Sequence, residues 1–273
     1  LISIIKEIIA GRDLIRELVV KDLKLRYSGP LLGAVWAFLL PFLTVLTFYV
    51  VFCKVLKVKV EEAPFILYLM SAIFPWRFFQ DSLSASTTSL MDNKNLLREA
   101  RFPHYFIPLS VVLANAVNFL PSLMILVITA LVVLKGLPLF ILFLPLVLSA
   151  HFLITLGLAI ISSILYLKWR DMKYILEAFL MLLFYLTPAF YSISTIRSVA
   201  SQGLFTAFIF NPFTGILNFY RISILKGFYD VVASDAGWFS FAAVPVLFAA
   251  GVTGAAFFFY RRNQSTINDH LSY

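Results

Sequence analysis

Long apolar runs separated by short polar segments set the pattern of the chain. A helix rises about 1.5 Å per residue and the hydrocarbon core of a bilayer is about 30 Å thick, so runs of roughly 20 apolar residues can span. Six qualify: Leu32 to Cys53, Phe65 to Met91, Tyr105 to Leu134, Leu139 to Leu167, Tyr174 to Tyr191 and Trp238 to Tyr260. Lys135, Gly136 and Pro138 break the chain sharply between the third and fourth, which predicts a hairpin. Ahead of the first run, Ile4, Ile5, Ile8, Ile9, Ile15, Leu18, Val19 and Leu23 recur at spacings of three and four, the stripe of an amphipathic helix lying along the membrane surface. Glu7, Asp13, Glu17 and Asp22 mixed with Lys and Arg leave no continuous apolar core there, so a signal peptide is not expected.

The stretch from Pro188 to Asp235 is apolar but broken, by Gly203 and by the Asn211-Pro212 pair. Asn211 is suited to an N-cap, Pro212 to the first helical position and Gly227, after Lys226, to a C-terminal stop. Two short helices dipping into the outer leaflet follow, their backbone bonds satisfied internally. The expected fold class is therefore all-α: a polytopic membrane protein with six transmembrane helices, an N-terminal amphipathic interface helix and two short re-entrant outer helices between spans five and six. One domain covers 1–273, with the interface helix and entrance loop at 1–31, the six-span region at 32–260 and a cytoplasmic tail at 261–273.

Composition agrees with that pattern. The chain is 61% hydrophobic and 13% charged, with a mean hydropathy of +0.93, which excludes a water-soluble fold. The net charge of +8 is informative through its placement. With a cytoplasmic N-terminus the inner segments carry fourteen basic residues: Lys6, Arg12, Arg16, Lys21, Lys24, Arg26, Lys94, Arg98, Arg101, Lys168, Arg170, Lys173, Arg261 and Arg262. The outer segments carry seven, Lys54, Lys57, Lys59, Lys135, Arg197, Arg221 and Lys226, so the positive-inside rule puts both termini in the cytoplasm. No basic patch is interleaved with base-stacking aromatics, which argues against nucleic acid. The single cysteine, Cys53, allows no disulfide within the chain and no cysteine metal cluster.

No phosphate-binding glycine loop, His-Glu-x-x-His or nucleophile–base spacing is present, so neither enzyme chemistry nor a metal site is expected. Arg77 and Asp81 lie four apart, on one face of the second span, and are read either as a substrate or ion contact or as an ion pair locking helices. Ser82, Ser84, Ser86, Thr87, Thr88 and Ser89 make the inner half of that span polar, as a water-lined vestibule or as helix–helix hydrogen bonding requires. His151 is either a proton relay or a hydrogen-bonded packing residue. Glu177 and Lys173 read as an interfacial pair. Phe38, Phe42 and Tyr49 recur on one face of the first span, where they either line a channel that stacks on sugar rings or face lipid. The loop from Asp92 to His104 predicts a short amphipathic helix that docks on a cytoplasmic partner or rests on headgroups. Gly251, Gly254 and Ala255 suit a close helix contact, within one chain or between two.

Three stretches together resemble the permease subunit of type 2 ABC exporters for polysaccharides, the O-antigen and teichoic-acid exporters among them. The first runs from Arg26-Tyr27-Ser28-Gly29-Pro30-Leu31-Leu32-Gly33 through Trp36 to Pro41. The second is Asn95-Leu96-Leu97 with Arg101-Phe102-Pro103, Ile107-Pro108-Leu109-Ser110 and Val117-Asn118-Phe119, and the third is Asn211-Pro212-Phe213-Thr214-Gly215 with Tyr220-Arg221. Ser28, Pro30 and Leu40 depart from the usual pattern, in which a basic residue, a small hydroxyl residue and Asn are common.

The resemblance implies a homodimer in the bacterial inner membrane, served by two copies of an ATP-binding cassette subunit that holds the ATP and Mg; no cofactor is expected in this chain. It implies that lipid-linked polysaccharide, within membrane lipid, is exported through a channel at the dimer interface. It further implies a substrate entrance at Lys24, Arg26, Tyr27, Gly33 and Trp36, and a coupling helix at Asn95, Leu96, Leu97, Arg98, Arg101 and Phe102. Channel lining then falls to Phe38, Phe42, Tyr49, Arg77 and Asp81, and an outer gate to Ile193, Ile196, Asn211, Pro212, Phe213 and Tyr220. Two rivals stand beside this expectation: an ABC exporter of small hydrophobic compounds, and an ion-coupled carrier or channel in which Asp81 and His151 titrate.

Overall fold

The apolar runs fold as the helices that their lengths require. A computed structural model of the chain describes residues 2–28, 33–57, 63–99, 102–191, 193–230, 238–265 and 267, and among them every regular element is helical. Helices α1 (Ile2–Ala10) and α2 (Arg12–Tyr27) come first. A 3₁₀ turn (Gly33–Val35) leads into α3 (Trp36–Phe48), which continues as a π-helical turn over Tyr49–Val55. Next come α4 (Phe65–Asp92), α5 (Lys94–Glu99) and α6 (Phe106–Val133). A 3₁₀ turn (Leu139–Phe143) then opens α7 (Leu144–Lys168), followed by α8 (Met172–Tyr185). The chain closes with α9 (Ile193–Val199), α10 (Gln202–Phe210), α11 (Pro212–Ile224) and α12 (Trp238–Arg262).

Four stretches are long and apolar enough to cross a membrane: Trp36–Val55, Phe106–Val133, Leu139–Lys168 and Phe241–Arg262. The other two predicted spans differ for separate reasons. Helix α4 has 28 residues, about 42 Å at 1.5 Å each, but the polar run from Gln80 to Ser89 lowers its hydropathy. Helix α8 has 14 residues, about 21 Å, and stops at Tyr185 instead of Tyr191 because Pro188 disfavours helix at the residue before it.

Local signals were well placed. Asn211 caps α11, its side chain accepting from the Phe213 N–H at 3.0 Å, with Pro212 in the first turn. The hairpin between α6 and α7 turns at Lys135 and Gly136, both with positive φ. Two expectations need correcting. The N-terminal helix is broken in two at Gly11, where the Phe106 ring occupies the space that a Cβ would take. Among the described residues three short helices, not two, lie between α8 and α12, since Ser201 and Asn211 adopt extended backbone and divide the segment at both places.

The long helices alternate in direction, which gives the bundle two ends. One end gathers α1, α2 and α5 with the start of α6 and the ends of α7 and α12; Lys168 Nζ donates to Asn263 Oδ1 at 2.6 Å there, and Tyr105 packs edge-on against Tyr260. Lys21, Lys24, Arg26, Arg98, Lys168, Arg261 and Arg262 therefore collect at that end. The opposite end holds α9, α10 and α11 with the turn before α7, where Phe140 stacks on Tyr229. Helix α11 is enclosed all round, every residue from Phe213 to Ile224 being buried.

Tight approaches fix the bundle. A Cβ added at Gly215 would lie 2.6 Å and 2.9 Å from Pro245 Cγ and Cδ, atoms of a ring that has little room to move. The Gly215→Val variant is expected to lose about 1–3 kcal/mol through overpacking, read as a lower unfolding temperature in detergent. A Cβ at Gly251 or Gly254 would meet nothing within 4 Å, so among the described residues these two glycines make no close helix contact.

Candidate functional site

A cleft of about 390 Å³ opens between α2, α3, α4 and α6. Helix α2 packs along the first turns of α6, from Gly11 under Phe106 to Tyr27 beside Asn118. Asn115 and Asn118 are three apart and so share one face of α6. Arg26 Nη1 donates to Asn115 Oδ1 at 3.0 Å, and Tyr27 Oη donates to Asn118 Oδ1 at 2.8 Å. Asn115 is itself buried and tethered, its Nδ2 donating to the Val111 carbonyl at 3.0 Å. Gly33, with φ of +48°, supplies the left-handed turn at the head of α3 that sets Trp36, Ala37, Leu40 and Pro41 along the cleft. Helix α4 contributes Phe74, Arg77, Phe78 and Asp81, and α6 adds Phe119 and Ser122. Phe78 stacks on Phe119 with centroids 5.4 Å apart.

Arg77 and Asp81 both reach this cleft, and among the described residues neither forms an ion pair: Arg77 Nη1 donates instead to Thr44 Oγ1 of α3 at 3.0 Å. Both charged groups are exposed on the face of α4 that the cleft occupies. The site therefore combines an arginine held by an amide, a second arginine, one carboxylate, amide donors and aromatic rings. Such a set suits a ligand that carries anionic oxygens, hydroxyl groups and C–H faces together.

The family model described as ABC-2 type transporter matches residues 13–225. The chain belongs to that family. The ABC-2 permease is also 30% identical over 248 residues to an O-antigen export system permease protein RfbA of Klebsiella pneumoniae, covering 87% of this chain and 94% of the relative. It is 29% identical over 221 residues to a protein of the same name from Myxococcus xanthus, covering 81% and 84%.

The cleft brings together Arg26, Tyr27 and Trp36 from the expected entrance with Arg77 and Asp81 from the expected lining. Lys24 lies elsewhere, in a charged groove on the outer face of α2 with Asp13, Arg16, Glu17 and Lys21. Phe38, Phe42 and Tyr49 are exposed on the face of α3 turned away from the cleft, and Lys54 sits over the Tyr49 ring at 5.5 Å. The aromatic surface of the cleft comes from Trp36, Phe74, Phe78 and Phe119 instead. Asn115, Asn118 and Ser122 were not singled out as site residues; polar side chains spaced three and four apart in an otherwise apolar run were the available signal.

In the ABC-2 permease, α5 carries the expected coupling residues, with Arg101 outside the described residues. Asn95 and Arg98 are exposed, Leu96 and Phe102 are half-buried, and Leu97 is buried in the core of that end. Phe102 stacks on Phe106 at 6.2 Å. Lys21 Nζ donates to Asn93 Oδ1 at 3.0 Å just before α5, and Tyr105 Oη donates to Glu7 Oε2 at 2.8 Å just after it. Burial first, and then the hydrogen bond to Glu7, hold the Tyr105 hydroxyl above its ordinary pKa, so it stays protonated as the donor.

The expected gate residues are interior. Ile193, Ile196, Phe213 and Tyr220 are buried, and Asn211 and Pro212 are half-buried. His151 Nδ1 lies 3.2 Å from Tyr220 Oη, with Phe78 edge-on to the imidazole at 5.1 Å, which is the packing arrangement. Arg221, counted with the outer loops in the sequence, is wholly buried. Its guanidinium stacks on the Tyr68 ring at 3.5 Å, Nη1 donates to Asn218 Oδ1 at 3.1 Å, and Nη2 donates to the Ala189 and Tyr68 carbonyls at 3.3 Å and 3.4 Å.

Proposed function

We propose that this chain is the membrane-spanning subunit of an ATP-driven exporter that moves a lipid-linked, O-antigen-like polysaccharide across the bacterial inner membrane. Two copies form the channel between them, and a separate ATP-binding cassette subunit docks at α5 and hydrolyses ATP. Each copy crosses the membrane six times, the polar α4 and the short α8 being the second and fifth spans, and both termini are cytoplasmic. The amphipathic α1 and α2 lie at the cytoplasmic interface, and α9 to α11 form the outer, re-entrant part that gates the exit.

The observation that carries this reading is the cleft that joins Arg26, Asn115, Arg77 and Asp81 to the rings of Trp36 and Phe74. Its volume falls within the roughly 300–1,000 Å³ of small-ligand sites, enough for a phosphorylated headgroup and the sugar next to it. A site for an apolar compound has no use for two arginines, a carboxylate and two amides in one cleft, because each would lose water without gaining a partner. Helix α3 supports the dimer: none of its residues is buried, and Phe38, Phe42, Leu43 and Leu46 form an exposed apolar face.

The test is export by the purified complex in proteoliposomes with ATP. Arg26→Ala is expected to reduce export of the lipid-linked glycan by about tenfold or more, the loss of one charge-assisted contact, while the ATPase subunit still co-purifies. Undiminished export by that variant would remove the cleft from the transport path. Transport by the chain alone under a proton gradient would favour the ion-coupled carrier.

A further inference from the structure

We propose that Asn115 and Asn118 read the diphosphate of the cargo lipid, Asn115 by positioning the Arg26 guanidinium and Asn118 by donating its own Nδ2–H to a phosphate oxygen; this rests on the exporter reading above. Both residues stand on the cleft face of α6, each with its carbonyl oxygen already used: Asn115 accepts from Arg26 and Asn118 from Tyr27. An arginine has five donors in a rigid fork, and the Asn115 contact takes one. The amide therefore fixes the plane of the guanidinium and leaves its other donors for an oxyanion.

Asn118 supplies the second observation. Its Nδ2 is shielded from water and has no hydrogen-bond partner. A buried amide N–H left unmade costs free energy, so it is kept where something else uses it. Tyr27 orients the amide by occupying its oxygen, which leaves the nitrogen as the unused donor. One amide-braced arginine and one oriented amide donor three residues apart on α6 match two oxygens of a diphosphate. The Asp81 carboxylate lies on the α4 wall beside Arg77, where it accepts from sugar hydroxyls and keeps the anion on the α6 side.

The two Asn→Asp substitutions separate reading from scaffolding, because a carboxylate still accepts from Arg26 and from Tyr27 while cancelling the donor character of the site. The experiment measures equilibrium binding of a polyprenyl diphosphate and of the matching polyprenol to the full complex in nanodiscs, with inorganic pyrophosphate as competitor. Asn115→Asp and Asn118→Asp are each expected to weaken polyprenyl diphosphate binding by about tenfold or more and leave polyprenol binding unchanged. Both variants are expected to keep the ATPase subunit bound; Asn118→Asp, whose Nδ2 has no partner to lose, is expected to unfold no earlier than wild type, whereas Asn115→Asp also gives up the bond to the Val111 carbonyl and unfolds earlier.

A purely structural role predicts the reverse, and diphosphate binding within about twofold of wild type in both variants overturns the assignment while leaving the exporter reading standing. Competition by inorganic pyrophosphate at the same concentration as the lipid overturns the headgroup assignment in favour of a free anion. A wild-type complex that does not distinguish polyprenyl diphosphate from polyprenol overturns the exporter reading as well.

Discussion

Replacing Arg221 with leucine is expected to cost about 2–4 kcal/mol and to remove most of the folded protein recovered from membranes. Two effects oppose each other in that substitution. Taking a buried cation away relieves its desolvation, which by itself favours the apolar variant. Against this, the Tyr68 ring loses a cation stacked at 3.5 Å, and the Asn218 side chain and the Ala189 carbonyl lose a donor that no water replaces at this depth. The Ala189 carbonyl belongs to the turn after α8, so its satisfaction joins α4, α11 and that turn at one point. The second effect wins because three elements converge there. Thermal unfolding followed by size-exclusion recovery checks the expectation, and Arg221→Lys should fall between, keeping the charge but losing the planar fork. An Arg221→Leu protein that unfolds within about 2 °C of wild type would show that packing alone holds α11 in place.

The second large effect concerns α5. Reversing the charge of its exposed face with Asn95→Asp and Arg98→Glu together is expected to abolish co-purification of the ATPase subunit while the permease stays monodisperse. Leu97→Asp is expected to behave differently. Leu97 is buried among the residues that pack α1, α2 and the start of α6, so a carboxylate there loses its water and the folded protein declines along with the complex. The contrast between the two variants, read by pull-down and by size-exclusion profile in the same detergent, separates docking from folding. If the exposed-face variant still retains a full complement of ATPase, the docking surface lies outside α5.

How much of this was legible in the sequence follows from the range of each interaction. The cap at Asn211, the Pro212 start and the turn at Lys135 and Gly136 depend on a few adjacent residues, and the chain spells them out. Helix lengths are legible for the same reason, apart from α8, where the predicted run continues through Pro188 to Tyr191 and the helix stops at Tyr185. Which face of α3 looks into the cleft was not legible: the helix is apolar all round, so Phe38, Phe42 and Tyr49 and their neighbours Ala37, Leu40 and Pro41 give the same signal. Arg221 misled for a related reason. A charge in a polar-looking segment reads as solvated unless its partners are known, and the two carbonyls that accept from it are 32 and 153 residues away in the chain. The pairing of Arg26 with Asn115 likewise spans 89 residues, beyond the reach of any periodicity.

The four walls of the cleft are not equally fixed. Helix α4 ends at the Asn93 cap that leads straight into α5, α6 begins a few residues after α5, and α2 is tied to both, to Asn93 through Lys21 and to α6 through Arg26 and Tyr27. Helix α3 has no buried residue; Val45 and Phe48 rest against the core, and the Thr44 hydroxyl accepts from Arg77. Opening the cleft thus reduces to one coordinate, the separation of α3 from a unit made of α2, α4 and α6. In the exporter proposed above, a push on α5 would reach α2, α4 and α6 together, and the cleft would widen along α3, the wall with no buried residue.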